Sequence, residues 1–508
     1  MPPVTDETLR ETMDRRAREE PGRVFLRFQD RSWTFGEIDA LVNRVANGLL
    51  ARGLRPGDRV ALMLPSHPDH LIAILALAKV GLVRVPINTA FKGASLQHPF
   101  DAFSPRALIA DAPYREVLDE VRTRVEQTIW RGPGEDGFAS LLAHADASPP
   151  KVAPKADDIV ALTPSSGTTG APKGVIKSDR TMRAGPMGTL MLTGAQPGDV
   201  FLLWESLHHG AGVAVVIAAV LGKLTLAMVE KFSASLFWDH CRQYGVTHIH
   251  YLGGVLPMLL KQPPRPDDRD HKVRIAWGGG CPPEVWDPFV QRFGVEMREG
   301  YGLSEMITFV TVNPKGPKFS VGLPLSYFDV MLADDEGKEV PVGQPGEIRV
   351  RARVPGLHFL GYFRNEEATR NAMAGEWFCS GDLAKRDEQG FLYFAGRKKD
   401  TVRRRGINIS AWEVERVIGE HEAVAECALV GVPSELGDEE LKLFVRVAEG
   451  KALAPAELVA WCKPRMPHFQ VPRYVALIDE FPKTPTQRIR KNELSRSVQG
   501  VWDAERSQ

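Results

Sequence analysis

TFGEIDALVNRVANGLLARGLRPGDRVALML, residues 34–64, holds a helix start, an amphipathic helix, a turn and a strand in one run. Thr34 reads as an N-cap, with Glu37 three residues later as its capping-box partner. Leu41, Val45 and Leu49 fall at helical spacing beside Val42, Ala46 and Leu50, so one face of the helix is apolar. Pro56-Gly57-Asp58 breaks the helix as a turn, and VALML follows as a short buried strand. A second helical stretch (HLIAILALAKVG) and a second strand (VRVPIN) repeat the alternation. Strand and helix taking turns in this way predict an α/β fold on a largely parallel sheet.

Further along, the Pro-, Ala- and Lys-rich stretch DASPPKVAPKADD (146–158) reads as a surface connection. It leads into the strand IVALTPSS, whose C-terminal end delivers SSGTTGAPKG (165–174), where ligand loops of α/β sheets commonly sit. Glycines let backbone N–H groups turn inward, hydroxyls add donors, Lys173 adds positive charge and Pro172 stiffens the approach. Such a loop suits phosphate, although the string is not the G-x-x-x-x-G-K-[ST] of the usual nucleotide loop. A Gly/Ser/Thr cluster alone is more often a surface loop; the strand feeding it and the G-T-T-G-x-P-K-G order favour the anion cradle.

The 508 residues exceed one ordinary domain and suggest about three units at ~150 residues each. A composition of 43% hydrophobic and 25% charged residues is that of a soluble globular protein. Lys+Arg and Asp+Glu both number 64, which argues against a dedicated nucleic-acid binder. Cys241, Cys281, Cys379, Cys427 and Cys462 lack C-x-x-C spacing, and their scarcity fits a reducing compartment. The N-terminus is polar, without a secretory signal, and the longest apolar run, Ala211 to Gly222, is short of the ~20 residues that span a bilayer. That run reads as a buried helix, and a cytoplasmic location is expected. Near residue 396 the texture turns basic (GRKKDTVRRRG), and WEVERVIGEHEAV, ECALVGVP and KLFVRVAEG then read helix, strand, strand. A boundary placed there gives units 1–396 and 397–508, the second of small-domain size.

Five strings in fixed order carry a resemblance. After the loop at 165–174 come YGLSE (301–305), WFCSGDL (377–383), GFLYFAGRKKD (390–400) and PKTPTQRIRKNEL (482–494). Together they resemble the superfamily of acyl-CoA synthetases, peptide-synthetase adenylation domains and firefly luciferase. RRRGINISAWEVE and GVPSELGDEE look most like its crotonobetaine/carnitine-CoA ligase-like branch. The resemblance implies a large N-terminal domain of mixed and parallel sheets with flanking helices and a β-barrel-like part. A small mobile α+β C-terminal domain would follow, hinged near Lys399.

The resemblance also implies site residues. Ser165, Ser166, Gly167, Thr168, Thr169, Gly170 and Lys173 would hold the phosphates of ATP, with Thr168 and Lys173 taking part in catalysis. Gly278, Gly279 and Gly280 would form the glycine turn against adenine, and Glu299, Gly300, Tyr301, Gly302 and Ser304 would continue the nucleotide site. Glu305 would ligate Mg²⁺, a hard cation that bridges phosphate oxygens. Asp382 and Arg397 would bind the ribose, and Gly406 would lie on the loop that swings toward the coenzyme A thiol. His209 would stand near the carboxylate and acyl pocket, with His208 beside it as the alternative. The implied partners are a small carboxylic acid, ATP and coenzyme A; homo-oligomer formation stays open.

Two positions depart from the family pattern. Gln487 and Arg488 stand where relatives carry glycine and the catalytic lysine, and Ile407 stands where glutamate is common. Arginine keeps the charge but is planar and longer, so it is not equivalent to lysine. In an extended segment Arg488 and Arg490 share one face while Lys491 points to the other, which leaves Arg488 to take the lysine's role. The leading reading is an AMP-forming acid–CoA ligase. A stand-alone enzyme loading a carrier-protein thiol and a catalytically silent nucleotide-binding homologue are the alternatives, with luciferase-type oxygenation remote.

Overall fold

Thr34 caps its helix as expected: its hydroxyl accepts from the Glu37 N–H at 3.3 Å, and the Glu37 carboxylate accepts from the Thr34 N–H at 2.8 Å. The helix runs Phe35–Ala51 and buries Ile38, Val42, Val45, Ala46 and Leu49, with Leu41 and Leu50 at the edge of that face. The computed structural model describes residues 5–134, 136–164, 173–252, 254–404, 407–434, 439–484 and 488–506. The next helix, Pro68–Lys79, is buried nearly throughout. Its Lys79 is fully buried, with its ammonium 2.7 Å from Asp14 and 2.5 Å from Asp39, which pins three helices together.

Two sheets carry the N-terminal part. The six-stranded sheet orders Gln127–Arg131, Ala107–Asp111, Arg59–Met63, Val83–Pro86, Ile159–Pro164 and Gly174–Ser178, all parallel until the last, which runs antiparallel to its neighbour. The nine-stranded sheet has a parallel centre from Glu296–Tyr301 through Ile275–Gly279, His248–Leu252, Val200–Leu203 and Thr225–Met228 to Val24–Phe28. Antiparallel strands flank it on both edges. The apolar run expected to be a buried helix forms Gly210–Gly222 and packs in the core shared by both sheets. Among the described residues no helix is long and apolar enough to cross a membrane.

The barrel-like part takes the form of a five-stranded antiparallel sheet built on Phe328–Ala333, Gly346–Ala352 and Trp377–Arg386, with Leu392–Arg397 paired to the last of these. Beyond it the chain forms the expected helix Ala411–Gly419 and strands Val424–Pro433 and Glu439–Val447. Tyr474–Leu477 and Trp502–Asp503 complete a four-stranded sheet. Among the described residues, the buried apolar residues from Val402 onward fall in two clusters of their own. This part touches the rest through Ser410, whose hydroxyl donates to the Ala395 carbonyl at 2.6 Å, and through Lys385 and Glu413 at 2.9 Å.

Candidate active site

The strand Glu296–Tyr301 is buried at its end, and Tyr301 projects to Asp382, its hydroxyl donating to the carboxylate at 2.8 Å. Asp382 pairs across the sheet with Arg397, whose guanidinium lies 3.3 Å from the other carboxylate oxygen. Burial raises the Asp382 pKa, and Arg397, Tyr301, Arg488 and Lys399 oppose that rise. Tyr301 and Arg397, from two other strings, therefore meet at the Asp382 carboxylate, an acceptor suited to paired hydroxyls. Lys399 follows in the short turn Lys398–Asp400, its pKa lowered first by burial and then by Arg397.

Arg488 joins them. It is exposed to solvent yet surrounded by protein, the position of a side chain in an open cleft. Its pKa is lowered by that enclosure and by Arg397, and Asp382 pulls it back. Its charge also reaches His209, lowering that imidazole after burial has already done so; His209 is thus neutral at pH 7. His208 lies against His209 with ring centroids 4.5 Å apart, and its further electrostatic neighbours are His70 and Arg84. Of the two histidines, His209 is the one that feels Arg488.

Arg488 and Arg490 are both exposed on either side of Ile489, which bridges to Lys483 and packs on an apolar cluster, as the expected sharing of a face requires. Arg490 pairs with Glu493 at 2.9 Å, because a turn begins at Lys491 and ends the extended run. Lys491 does point elsewhere: its ammonium is 2.7 Å from Glu415 and 3.9 Å from Asp400. Ser165, Ser166, Gly167, Thr168, Thr169 and Gly170 lie outside the described residues, as do Gly406 and Gln487. The strands on either side of the phosphate loop are paired antiparallel, with Pro164 opposite Gly174.

Lys173 leaves that loop exposed, its ammonium 4.8 Å from the Tyr362 ring centroid. The Tyr362 hydroxyl donates to Glu305 at 3.0 Å, so one tyrosine touches both the loop lysine and the expected metal carboxylate. Tyr362 is stitched to the strand that follows the loop by Phe363 N–H to Gly174 O at 2.8 Å and Ile176 N–H to Gly361 O at 3.1 Å. Beneath Glu305, the buried Lys177 donates to the Met306 carbonyl at 2.6 Å. Burial pulls the Lys177 pKa down to about 8, and Glu305 opposes the fall. Sequence reading missed Tyr362 and Lys177; only the pairing of residues 361–363 with 174–176 brings them to Glu305. Ser304 is exposed beside them.

The glycine turn has a packing reason. Gly278 and Gly279 end the strand Ile275–Gly279 and Gly280 follows. A Cβ on Gly278 would sit 2.0 Å from the Tyr251 carbonyl oxygen, and one on Gly302 1.6 Å from that of Thr308. A Cβ on Gly300 would strike the Phe309 ring at 2.5 Å. Glu299, 3% exposed, holds the turn by accepting from the Cys281 N–H at 2.7 Å. Burial pushes its carboxyl up to about 7, against hydrogen bonds from Cys281, Tyr251 and Gly280. The folded state thus keeps a proton that the unfolded chain releases near its ordinary 4.5, so stability falls as pH rises from 4.5 through 7. Glu299→Gln, which keeps the acceptor without the charge, should flatten this fall by about 3 kcal/mol. Denaturant midpoints at pH 5 and pH 8 check it; parallel losses in both proteins would remove Glu299 as the cause.

The surrounding chain matches known proteins along most of its length. A family model described as AMP-binding enzyme matches residues 13–363, and one described as AMP-binding enzyme C-terminal domain matches residues 413–488. Crotonobetaine/carnitine–CoA ligase of Citrobacter koseri is 29% identical over 482 residues, covering 91% of this chain and 93% of that protein. The enzyme of the same name from Salmonella typhimurium is 29% identical over 484 residues, with the same coverage. Among solved structures, ATP-bound MatB from Rhodopseudomonas palustris superposes with a TM-score of 0.87 at 25% identity, over 96% of this chain and 98% of that one. The anthranilate CoA ligase AuaEII with anthranoyl-AMP gives 0.86 at 24% identity, over 97% of both. With its first family match alone covering more than half of its residues, the chain belongs to the AMP-binding enzyme family.

Proposed function

We propose that the chain is an ATP-dependent, AMP-forming carboxylic acid–CoA ligase. The observation that carries this reading is the meeting of Asp382, Tyr301, Arg397, His209 and Arg488 in one open cleft, drawn from both ends of the chain. Its relatives named as CoA ligases, and the solved neighbours titled with ATP or an acyl-adenylate, support the same chemistry.

In the first step a carboxylate oxygen attacks the α-phosphorus of ATP, and pyrophosphate leaves with the bridging oxygen's electrons. Asp382 and Tyr301 hold the ribose, the residues 165–170 and Lys173 hold the phosphates, and Arg488 neutralises charge that grows on the α-phosphate. Glu305 is a hard oxygen donor braced by Tyr362 and fits Mg²⁺, which when bound supplies charge neutralisation across the phosphates. In the second step the coenzyme A thiol, losing its proton, attacks the acyl carbonyl and AMP leaves. Neutral His209 stands at the acyl end, where it accepts or donates a hydrogen bond without adding charge.

We place the domain boundary at 396/397, supported by the separate apolar clusters beyond it, with Lys399 in the turn suited to a hinge. The protein is expected to act in the cytoplasm. Incubation with Mg-ATP and a panel of carboxylic acids, with and without coenzyme A, tests the function. AMP that requires coenzyme A is the expected result. Pyrophosphate and adenylate without thioester would point to a carrier-protein thiol, and no turnover across the panel would point to a silent homologue.

A further inference from the structure

Behind the histidine pair lies a buried cation that the reaction above does not use. Arg84, on the strand Val83–Pro86, is 2% exposed. One of its terminal nitrogens donates to the Leu207 carbonyl at 3.4 Å; the other, Nη2, has no partner among the described residues. Burial alone lowers its pKa to about 10, with no carboxylate among the described residues pulling it back. The helix next to it contributes His70, 1% exposed, whose Nδ1 binds the Pro65 carbonyl at 3.1 Å. That bond makes Nδ1 the donor in the neutral ring, so Nε2 is a bare acceptor, and it too lacks a partner. His208 lies within electrostatic reach of both.

A guanidinium taken out of water without an anion is among the most expensive groups a protein can bury. Its neighbours do not relieve it: burial holds His70 and His208 near about 3, so both are neutral at pH 7 and Arg84 bears the cluster's single charge. A second feature adds to the same field. Helix Gly210–Gly222 starts beside the cluster with no acidic residue in its first turn and no side-chain cap. Its first-turn N–H groups, without a side-chain cap among the described residues, favour negative charge there.

We propose that Arg84 receives a second carboxylate carried by the acid substrate, so that the preferred substrate is a short dicarboxylic acid. The proposal rests on the acid–CoA ligase reading for the fate of the first carboxylate. Length follows from the chain. Leu207, which accepts from Arg84, is two residues from His209, and two Cα steps span at most about 7.6 Å. The two carboxylates would then be anchored at neighbouring points of one loop, which favours an acid with only a few carbons between them. The incoming carboxylate pairs with Arg84 Nη2, and its charge favours a proton on His70 Nε2, which turns that acceptor into a donor.

The test compares matched acids on the full-length protein: succinate against butyrate and glutarate against valerate. AMP formation with Mg-ATP and coenzyme A, and calorimetric titration without nucleotide, are both followed. The expected kcat/KM preference for the diacid is about 10²-fold or more. Arg84→Met should collapse it to within a few-fold, mainly through KM, while Arg84→Lys keeps part of it. The melting midpoint of Arg84→Met should equal or exceed that of the wild type, since it removes a buried unpaired charge. A lowered midpoint with unchanged acid preference would make Arg84 a structural group satisfied by a bridging water, and would overturn the proposal. Turnover of monoacids with no diacid preference would do the same while leaving the ligase reading intact. Arg84-dependent succinate binding without turnover would keep the anion site and sink the ligase reading.

Discussion

Glu305→Gln is expected to lower acid-dependent pyrophosphate release by about 10³-fold or more, roughly 4 kcal/mol of transition-state stabilisation. The amide retains the hydrogen bond from Tyr362, so the fold around it should persist. What is lost is the charge that draws a divalent cation to the phosphates. The loss should be steepest at low magnesium and should not be restored by raising the acid concentration. An unchanged melting midpoint would confirm that the structure survived. Wild-type turnover at limiting magnesium would remove Glu305 from the metal site. Glu305 is half-buried, outside the apolar core, so the amide should leave the fold in place.

Arg488→Ala should cut pyrophosphate release by about 10²–10³-fold, ~3–4 kcal/mol. Its guanidinium is the cation that reaches Asp382 and His209 from the C-terminal part. The second half-reaction separates this role from a general defect. Given a chemically prepared acyl-adenylate and coenzyme A, the variant should form thioester within a few-fold of the wild type. Adenylation at the wild-type rate would refute the assignment. Lys491 cannot step in without breaking its contacts with Glu415 and Asp400, so it should not mask the effect. Arg488→Lys should recover much of the rate, since charge matters more here than a planar fork.

Local chemistry was readable wherever one segment held the whole reason. The Thr34–Glu37 box, the buried helix Gly210–Gly222 and the strand leading to the phosphate loop each depend on neighbours within a few residues. The direction of Lys491 was readable from alternation, but the partner of Arg490 was not, because the turn at Lys491–Glu493 ends the strand geometry on which the alternation rule depends. Tyr362 and Lys177 were silent in the sequence. A tyrosine in GYF and a lysine in GVIK have no local sign of function, and only strand pairing brings them to Glu305. Arg84, His70 and His208 come from a strand, a helix and a loop, and the unpartnered Nη2 of Arg84 and Nε2 of His70, among the described residues, are a property of three dimensions alone. Gly278 is expected in the glycine turn and Gly302 in the nucleotide site, and each also has a packing reason, a close approach of the protein's own backbone, that one segment does not reveal.

Those two glycines bear on how such an enzyme could be redesigned. Any side chain at 278 or 302 collides with a carbonyl oxygen of a neighbouring strand or loop, not with a flexible group that could yield. A randomised library that includes these codons would spend most of its members on unfolded protein. Thr308 meets Gly302 through its carbonyl and Phe309 meets Gly300 through its ring, so side-chain variation at these two positions leaves the carbonyl contact at Gly302 in place. The floor that these glycines form is in this sense hard-wired, and new acids are to be sought by changing the walls around it.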